Sequence, residues 1–248
     1  MNKLCVLLAA LPLFGAPIGN PTSPALLQEG LFIPDTVWCQ PRASFAEDFL
    51  TSQQLCGSRH LIGVNNIQIH GYSSLGALTW SIAERFDLSV ILGSCEQKMD
   101  LSIAQRDYKA RYSGGLVWYG EAKLVLVEMK DTSICAYGEA GGWSWMNGTF
   151  ADSQEILSRS AQLLMRFWSV GATLSQKFRF LCPYAGVIVM RSRWKMDQTG
   201  IGGLYLHQRF PVGPVIGLSL SNASKILLNA EWRGWVENAF TVSSEVRF

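Results

Sequence analysis

Charge is scarce in this chain. Lys, Arg, Asp and Glu supply 16% of its 248 residues while hydrophobic residues supply 48%, against roughly 25% charged residues in ordinary soluble domains. So little charge leaves too few groups to wet a whole surface. A β-barrel in lipid resolves the deficit, because its outward band is apolar. Histidine is almost missing: His60, His70 and His207 are the only three, and none stands at metal-ligand spacing from another His or a Cys, so no metal site is expected. There is no Cys-x-x-Cys, no G-x-S-x-G elbow, no P-loop and no nucleotide-binding glycine fingerprint. Those absences argue against zinc-knuckle, hydrolase and nucleotide chemistry, and no catalytic residue or cofactor is expected. The basic residues are scattered and the formal charge is only +2, which predicts no nucleic-acid partner.

Long apolar runs are also missing. Leu61 to Ala83 has no Lys, Arg, Asp or Glu, but Asn65, Asn66, Gln68, His70, Ser73, Ser74, Thr79 and Ser81 interrupt it, too many polar groups for a helix in hydrocarbon. The uncharged run Leu4 to Phe14 after Lys3 is shorter still, and Gly15-Ala16 follow it. Residues 1–16 therefore read as a secretory signal peptide. Residues 17–41, with prolines at 17, 21, 24, 34 and 41, read as an irregular leader.

What is present is alternation. In Phe240 to Phe248, Phe240, Val242, Ser244, Val246 and Phe248 share one face of an extended strand, and Thr241, Ser243, Glu245 and Arg247 share the other. Ile226 to Trp232 repeats the pattern, with Leu228 and Trp232 opposite Glu231 and Arg233. In Leu116 to Val127, Trp118 and Leu124 oppose Glu121 and Lys123, and in Tyr184 to Trp194, Ile188, Met190 and Trp194 oppose Arg191 and Arg193. Further strands are expected at Arg42 to Leu50, Leu75 to Arg85, Phe86 to Gly93, Ile134 to Trp143, Phe167 to Phe178, Gly202 to Phe210 and Val215 to Ser221, with Ser102 to Arg111 in reserve. Even strand numbers close bacterial barrels. The expected fold is an all-β transmembrane antiparallel up-and-down barrel over residues 42–248, of about twelve strands within a range of ten to fourteen. A short loop helix after Asp152, carrying Ile156, Leu157, Leu164 and Phe167, competes with an early strand start there. Trp143, Trp194, Trp232 and Trp235 are expected in an interfacial aromatic girdle.

With charged faces turned to a lumen, Glu121, Lys123, Arg191, Arg193, His207, Arg209, Glu231, Arg233, Glu245 and Arg247 are the expected pore-lining set. Six of these are Lys or Arg and three are Glu, which predicts mild anion preference in a hydrated pore. Cross-lumen pairing of the same charges would instead plug the barrel. After Cys5 in the signal, Cys39, Cys56, Cys95, Cys135 and Cys182 remain; an odd number leaves one thiol free or paired with another chain.

Several blocks resemble the chlamydial major outer membrane porin family. They are Pro17-Ile-Gly-Asn-Pro21 with Pro24-Ala-Leu-Leu27, Val37-Trp-Cys39, Ala83-Glu-Arg-Phe-Asp87 with Val90-Ile-Leu-Gly93, Trp118 to Gly120 with Ala122, Cys135 with Tyr137-Gly138, Cys182-Pro-Tyr-Ala-Gly-Val187 and Val246-Arg-Phe248. The resemblance implies a barrel in the outer membrane that passes small solutes by passive diffusion, with cysteines in envelope disulfides, Cys39 foremost. It also implies membrane lipid, barrel assembly machinery, a homo-oligomer (trimer) and disulfide-linked envelope proteins as partners. This chain is shorter than the family's pattern, with fewer cysteines. A non-conducting structural or adhesive barrel and a barrel hydrolase are the competing readings. Phe240, Val242, Val246 and Phe248, on the closing strand, are the expected assembly signal. Deleting Phe248 is expected to slow folding into lipid vesicles without altering the conductance behaviour of the inserted fraction; unchanged insertion kinetics would remove that role.

Overall fold

The computed structural model describes Pro21 and residues 39–57, 64–82, 85–103, 106–152, 159–198, 202–222 and 226–248. The expected signal peptide and nearly all of the leader, with the resembling blocks they contain, lie outside the described residues. So do His60, Ile156 and Leu157.

All eleven described elements are strands: β1 (Cys39–Gly57), β2 (Val64–Ile82), β3 (Phe86–Ile103), β4 (Arg106–Met129), β5 (Thr132–Asp152), β6 (Arg159–Gln176), β7 (Leu181–Gln198), β8 (Gly202–Gln208), β9 (Val212–Asn222), β10 (Ile226–Arg233) and β11 (Asn238–Arg247). Each pairs antiparallel with the next from β1 to β7. One edge of β7 then carries two partners: Arg193–Gln198 pair with β8 and Leu181–Val189 pair with β9. β8 and β9 are thus a single line of chain interrupted at residues 209–211. Pro211 has no N–H to give a ladder, but its carbonyl accepts from the Met190 N–H at 2.7 Å.

The far edges of β8 and β9 diverge. β9 continues to β10, β10 to β11, and β11 closes on β1, whereas β8 pairs directly with Leu55–Gly57 of β1. The ring therefore has ten strands at the end holding Cys39 and Arg247, and eight at the other. The ten-stranded ring lies within the expected range but below the expected twelve. Gly202–Phe210 and Val215–Ser221 are two stretches of one staircase, and Ser102–Arg111 is shared between the end of β3 and the start of β4. Leu164 and Phe167, offered to a loop helix, lie in β6.

The hairpin β10–β11 is the wedge that makes one end wider. Its tip packs on β9, where the Gly234 N–H donates to the Pro214 carbonyl at 3.0 Å. A Cβ on Gly213 would stand 1.9 Å from the Gly234 carbonyl oxygen, so this approach requires glycine. Bulges cluster around the transition, between Leu50 and Gln53 in β1, Cys95 and Gln97 in β3, and Trp143 and Met146 in β5. Such insertions bend and twist strands, which suits a ring changing circumference.

The inner wall changes chemistry at the same level. In the wide tier it carries Arg42, Thr79, Asp87, Glu121, Lys123, Thr173, Glu231 and Glu245, all buried, while Phe45, Leu78, Leu88, Leu124, Leu174, Leu218, Leu228 and Val242 are exposed outside. In the narrow tier Leu55, Ile69, Met99, Leu163, Trp194, Met196 and Leu206 are buried inside, and Gln54, Gln68, Lys98, Arg111, Gln162, Arg193 and His207 are exposed outside. The wide tier is apolar outside and polar inside; the narrow tier is the reverse. Gly213→Ala should lower the stability of the folded barrel by about 1–3 kcal/mol, the usual penalty for overpacking, read as an earlier urea midpoint; an unshifted midpoint would refute tight docking of the hairpin tip.

Candidate functional site

The barrel interior holds the functional candidates, and strand alternation delivers them there. Arg233 ends β10 on its inward face and is fully buried. Its Nε donates to Glu237 Oε1 at 2.7 Å, its Nη1 to Thr241 Oγ1 at 2.7 Å and Glu231 Oε1 at 3.1 Å, and its Nη2 to Asp48 Oδ1 at 2.6 Å. Three carboxylates therefore surround one guanidinium, which uses four of the five donors in its fixed fork. Tyr184 extends the cluster, donating its single O–H to Glu231 Oε2 at 2.7 Å, with Asn229 Oδ1 3.1 Å from the same hydroxyl oxygen. It can lie flat against the wall because its register partner on β9 is Gly217, where a Cβ would meet the Tyr184 ring.

A second cluster sits nearer the chain ends. Arg42 of β1 pairs with Asp87 of β3 and lies 2.7 Å from Glu245 of β11, and Ser81 Oγ donates to Asp87 at 2.5 Å. Between the clusters Lys123 Nζ is 3.2 Å from Glu121, and Ser169 donates to Glu139. Arg247 is also buried on this wall.

Of the ten residues expected to line a lumen, six do face the interior: Glu121, Lys123, Glu231, Arg233, Glu245 and Arg247. Arg191, Arg193, His207 and Arg209 do not. They are exposed on the outer wall, because β7 and β8 have by then left the apolar outer band for the narrow tier, where Trp194, Met196, Leu204 and Leu206 occupy the inside. Five charged residues of the interior are additions: Arg42, Asp48, Asp87, Glu139 and Glu237. Glu139 was findable, since Cys135, Tyr137 and Glu139 alternate with Ala136, Gly138 and Ala140. Among the described residues the buried set has four cations against seven carboxylates, so the basic excess behind the expected anion preference is reversed there.

The interior is also filled. Arg42 and Arg233 are 0% exposed and Lys123 3%, so no passage wide enough for water runs past them. At the junction of the tiers a cavity of about 30 Å³ is lined by Asp48, Tyr119, Glu139, Trp143, Met165 and Glu237 among others, space for one or two waters. Above it Trp143 and Trp194 meet edge to face, with ring centroids 4.9 Å apart at 83°. Both were expected at a membrane girdle; instead they plug the narrow tier. Trp232 and Trp235 do point outward.

Cys95, Cys135 and Cys182 are buried inside, and Cys56 is exposed. Burial sets the three interior thiols apart from Cys56, which faces outward; the Cys39 side chain lies outside the described residues. Of the assembly-signal residues, Phe240, Val242 and Phe248 are exposed on the outer wall and Val246 is half-buried. Among the described residues, no group of three His, Cys, Asp or Glu side chains is placed to hold a metal.

No family model and no curated protein sequence matches this chain. Solved structures similar to it include the outer membrane protease OmpT of Escherichia coli, at 8% identity over 85% of this chain and 94% of that one, with a TM-score of 0.43. The transport unit of the autotransporter AIDA-I from Escherichia coli is 11% identical over 92% of this chain and 96% of that one, with a TM-score of 0.40. The Pseudomonas putida toluene transporter TodX is 10% identical over 96% and 98%, with a TM-score of 0.37. This likeness is confined to barrel architecture.

Removing Arg233 would leave Asp48, Glu231 and Glu237 buried around an uncompensated space. Arg233→Ala is therefore expected to cost about 3–5 kcal/mol in chemical denaturation, as for breaking a buried pair from one side. Arg191→Ala, on the outer wall, should stay within about 0.5 kcal/mol. Equal effects would contradict the placement of the two arginines.

Proposed function

We propose that the chain is an outer-membrane barrel that is closed at rest, anchored by its wide tier and presenting its narrow tier outside the bilayer. The anchoring half of this reading rests on polarity. β10 and β11 have 8 and 10 residues, close to the 9–11 that a tilted strand needs to cross hydrocarbon, and their exposed large apolar side chains are Ile226, Leu228, Trp232, Phe240 and Val242. β4 has 24 residues, more than twice what a crossing requires. The surplus forms the narrow tier, whose charged exterior suits water. Short turns at the wide end, such as that between Met129 and Thr132, favour the periplasmic side for that end.

The observation that carries closure is the near-complete burial of the interior charges. Lumen residues of a hydrated pore keep accessible surface; these are buried, Arg42, Lys123 and Arg233 against carboxylates and Glu139 against Ser169. Ionic partners at 2.6–3.2 Å around Arg233 and Lys123 and an indole pair above them leave nothing for a solute to follow. An envelope scaffold that holds a rigid outer tier in place fits this geometry.

Passive diffusion, which the resemblance to the chlamydial porin family implies, is the second reading. It is favoured by one observation: the wide tier is lined by ionisable groups, and the buried Tyr119 and Tyr137 hydroxyls have no hydrogen-bond partner among the described residues, a site suited to water. On that reading the apolar plug must move, and the carboxylate excess gives cation preference.

An electrophoretic shift on heating without reductant tests the membrane barrel, and planar-bilayer recording tests its closure. The wild-type protein is expected to insert and stay silent. Trp194→Ala, which removes half of the indole pair, is expected to introduce cation-preferring conductance steps and to cost about 3–5 kcal/mol. Stable steps from the wild-type barrel would overturn closure in favour of passive diffusion.

A further inference from the structure

The outer wall carries a row of basic residues that no feature of the barrel uses. Arg166 of β6 stands directly opposite Arg193 of β7, and Arg193 opposite His207 of β8; all three are exposed. Arg191, opposite Trp168, extends the row toward the wide tier, and Arg209 follows His207. Directly opposed side chains lie about 5 Å apart at Cβ, where like charges destabilise a sheet. Among the described residues no carboxylate lies within ion-pair distance of Arg166, Arg191 or Arg193; the acid on the same face of β7, Asp197, is held by Lys195 at 2.8 Å. A barrel gains nothing from this arrangement on its own, so the wall is built for an anion.

The row begins where the apolar band ends. On β6 Arg166 gives way to Trp168 and Val170, and on β7 Arg191 gives way to Val187. Beside the row an open groove of about 450 Å³ is lined by Ser52, Gln54, Phe210, Val212, Trp235 and Asn238. Arg209 bridges the two features: its Cζ lies 5.5 Å from the Phe210 ring centroid, and its Nη1 is 3.5 Å from Gln54 Oε1. Trp235 faces the groove at 72% exposure. It is held out by a three-residue turn in which the Val236 N–H donates to the Gly234 carbonyl at 2.7 Å with Trp235 at φ 63°, a strained conformation for a bulky side chain.

We propose that this wall binds one phosphate-bearing lipid, its headgroup across Arg166, Arg191, Arg193 and His207 and an acyl chain in the groove between Phe210 and Trp235. The inference rests on the membrane reading of the wide tier. Guanidinium forks match phosphate oxygens in pairs, which answers the missing counter-charge. An amphiphile also answers the position, since its headgroup and chains must straddle the boundary that separates Arg191 from Val187. A free anion would leave the aromatic groove unused, and a water-soluble acidic protein would meet the bilayer along one edge of the patch.

The test uses the folded chain in neutral maltoside micelles. Dioleoyl phosphatidic acid is titrated and bound lipid is counted by native mass spectrometry, with dioleoylglycerol as the phosphate-free control. One phosphatidate is expected to bind per barrel above the dioleoylglycerol background. The double variant Arg191→Ala/Arg193→Ala should bind it about 30-fold more weakly, from the usual contribution of basic side chains at an anionic lipid surface, while retaining its heat-dependent electrophoretic shift. Equal binding by the double variant and the wild type overturns the proposal. So does displacement of the lipid by equimolar inorganic phosphate, which would mean a free-anion site, or by equimolar polyglutamate, which would mean an acidic protein partner. A wild-type chain with no heat-dependent shift fails the membrane reading itself, and with it the lipid site, before any lipid is added.

Discussion

Arg233 holds together three parts of the chain that otherwise have separate reasons to part. Asp48 belongs to β1, Glu231 to β10 and Glu237 to the hairpin tip, so one side chain fastens the wedge to the strand on which the barrel closes. Burying a guanidinium and three carboxylates is unfavourable unless each finds its partners. Here the hydrogen bonds are numerous and directional, and Thr241 and Tyr184 complete them. The result is specific rather than simply stable. If the hairpin slipped by one residue, its whole polar face would turn outward.

That fastening decides the shape of the interior. Where β10 and β11 are present the ring has ten strands, and charged side chains with their partners fill the extra width. Where the wedge ends, β8 reaches β1 directly and the ring has eight. Eight strands leave an interior just wide enough for side chains to fill, and Trp143, Trp194, Met165 and Met196 fill it. The change of content therefore follows from the change of circumference. On the proposed membrane reading the outside follows from the surrounding medium: a tier with a polar interior is stable in lipid when its exterior is apolar, and a tier with an apolar interior is stable in water when its exterior is charged.

This explains what could and could not be read from the sequence. Alternation identifies which residues share a face, so the partition of β10 and β11 was legible, and the closing strand was read with the correct side outward. Alternation does not say which face is inside. For β7 the rule that charged residues face the lumen gave the wrong side, because Tyr184 and Trp194 share the inner face while Val187 and Arg193 share the outer one. Polarity reverses along the outer face of this single strand, between Val189 and Arg191. Asp48 and Glu237 were missed for a different reason. Each became a site residue only through Arg233, and the pairing of Asp48 with a residue 185 positions away has no local signature.

The two tiers also place the chain's unpaired features at one height. The strained turn at Trp235, the break at Pro211 and the outward switch from Val189 to Arg191 all occur where the wedge ends. A ring that loses two strands must leave a seam on its surface, because β8 and the hairpin tip cannot both pair with β1 at the same level. The seam is the groove between Phe210 and Trp235, and in a bilayer it would open at the depth where acyl chains meet headgroups. The geometric consequence of narrowing the barrel is thus a surface defect, and aromatic and basic side chains surround that defect rather than the sealed interior.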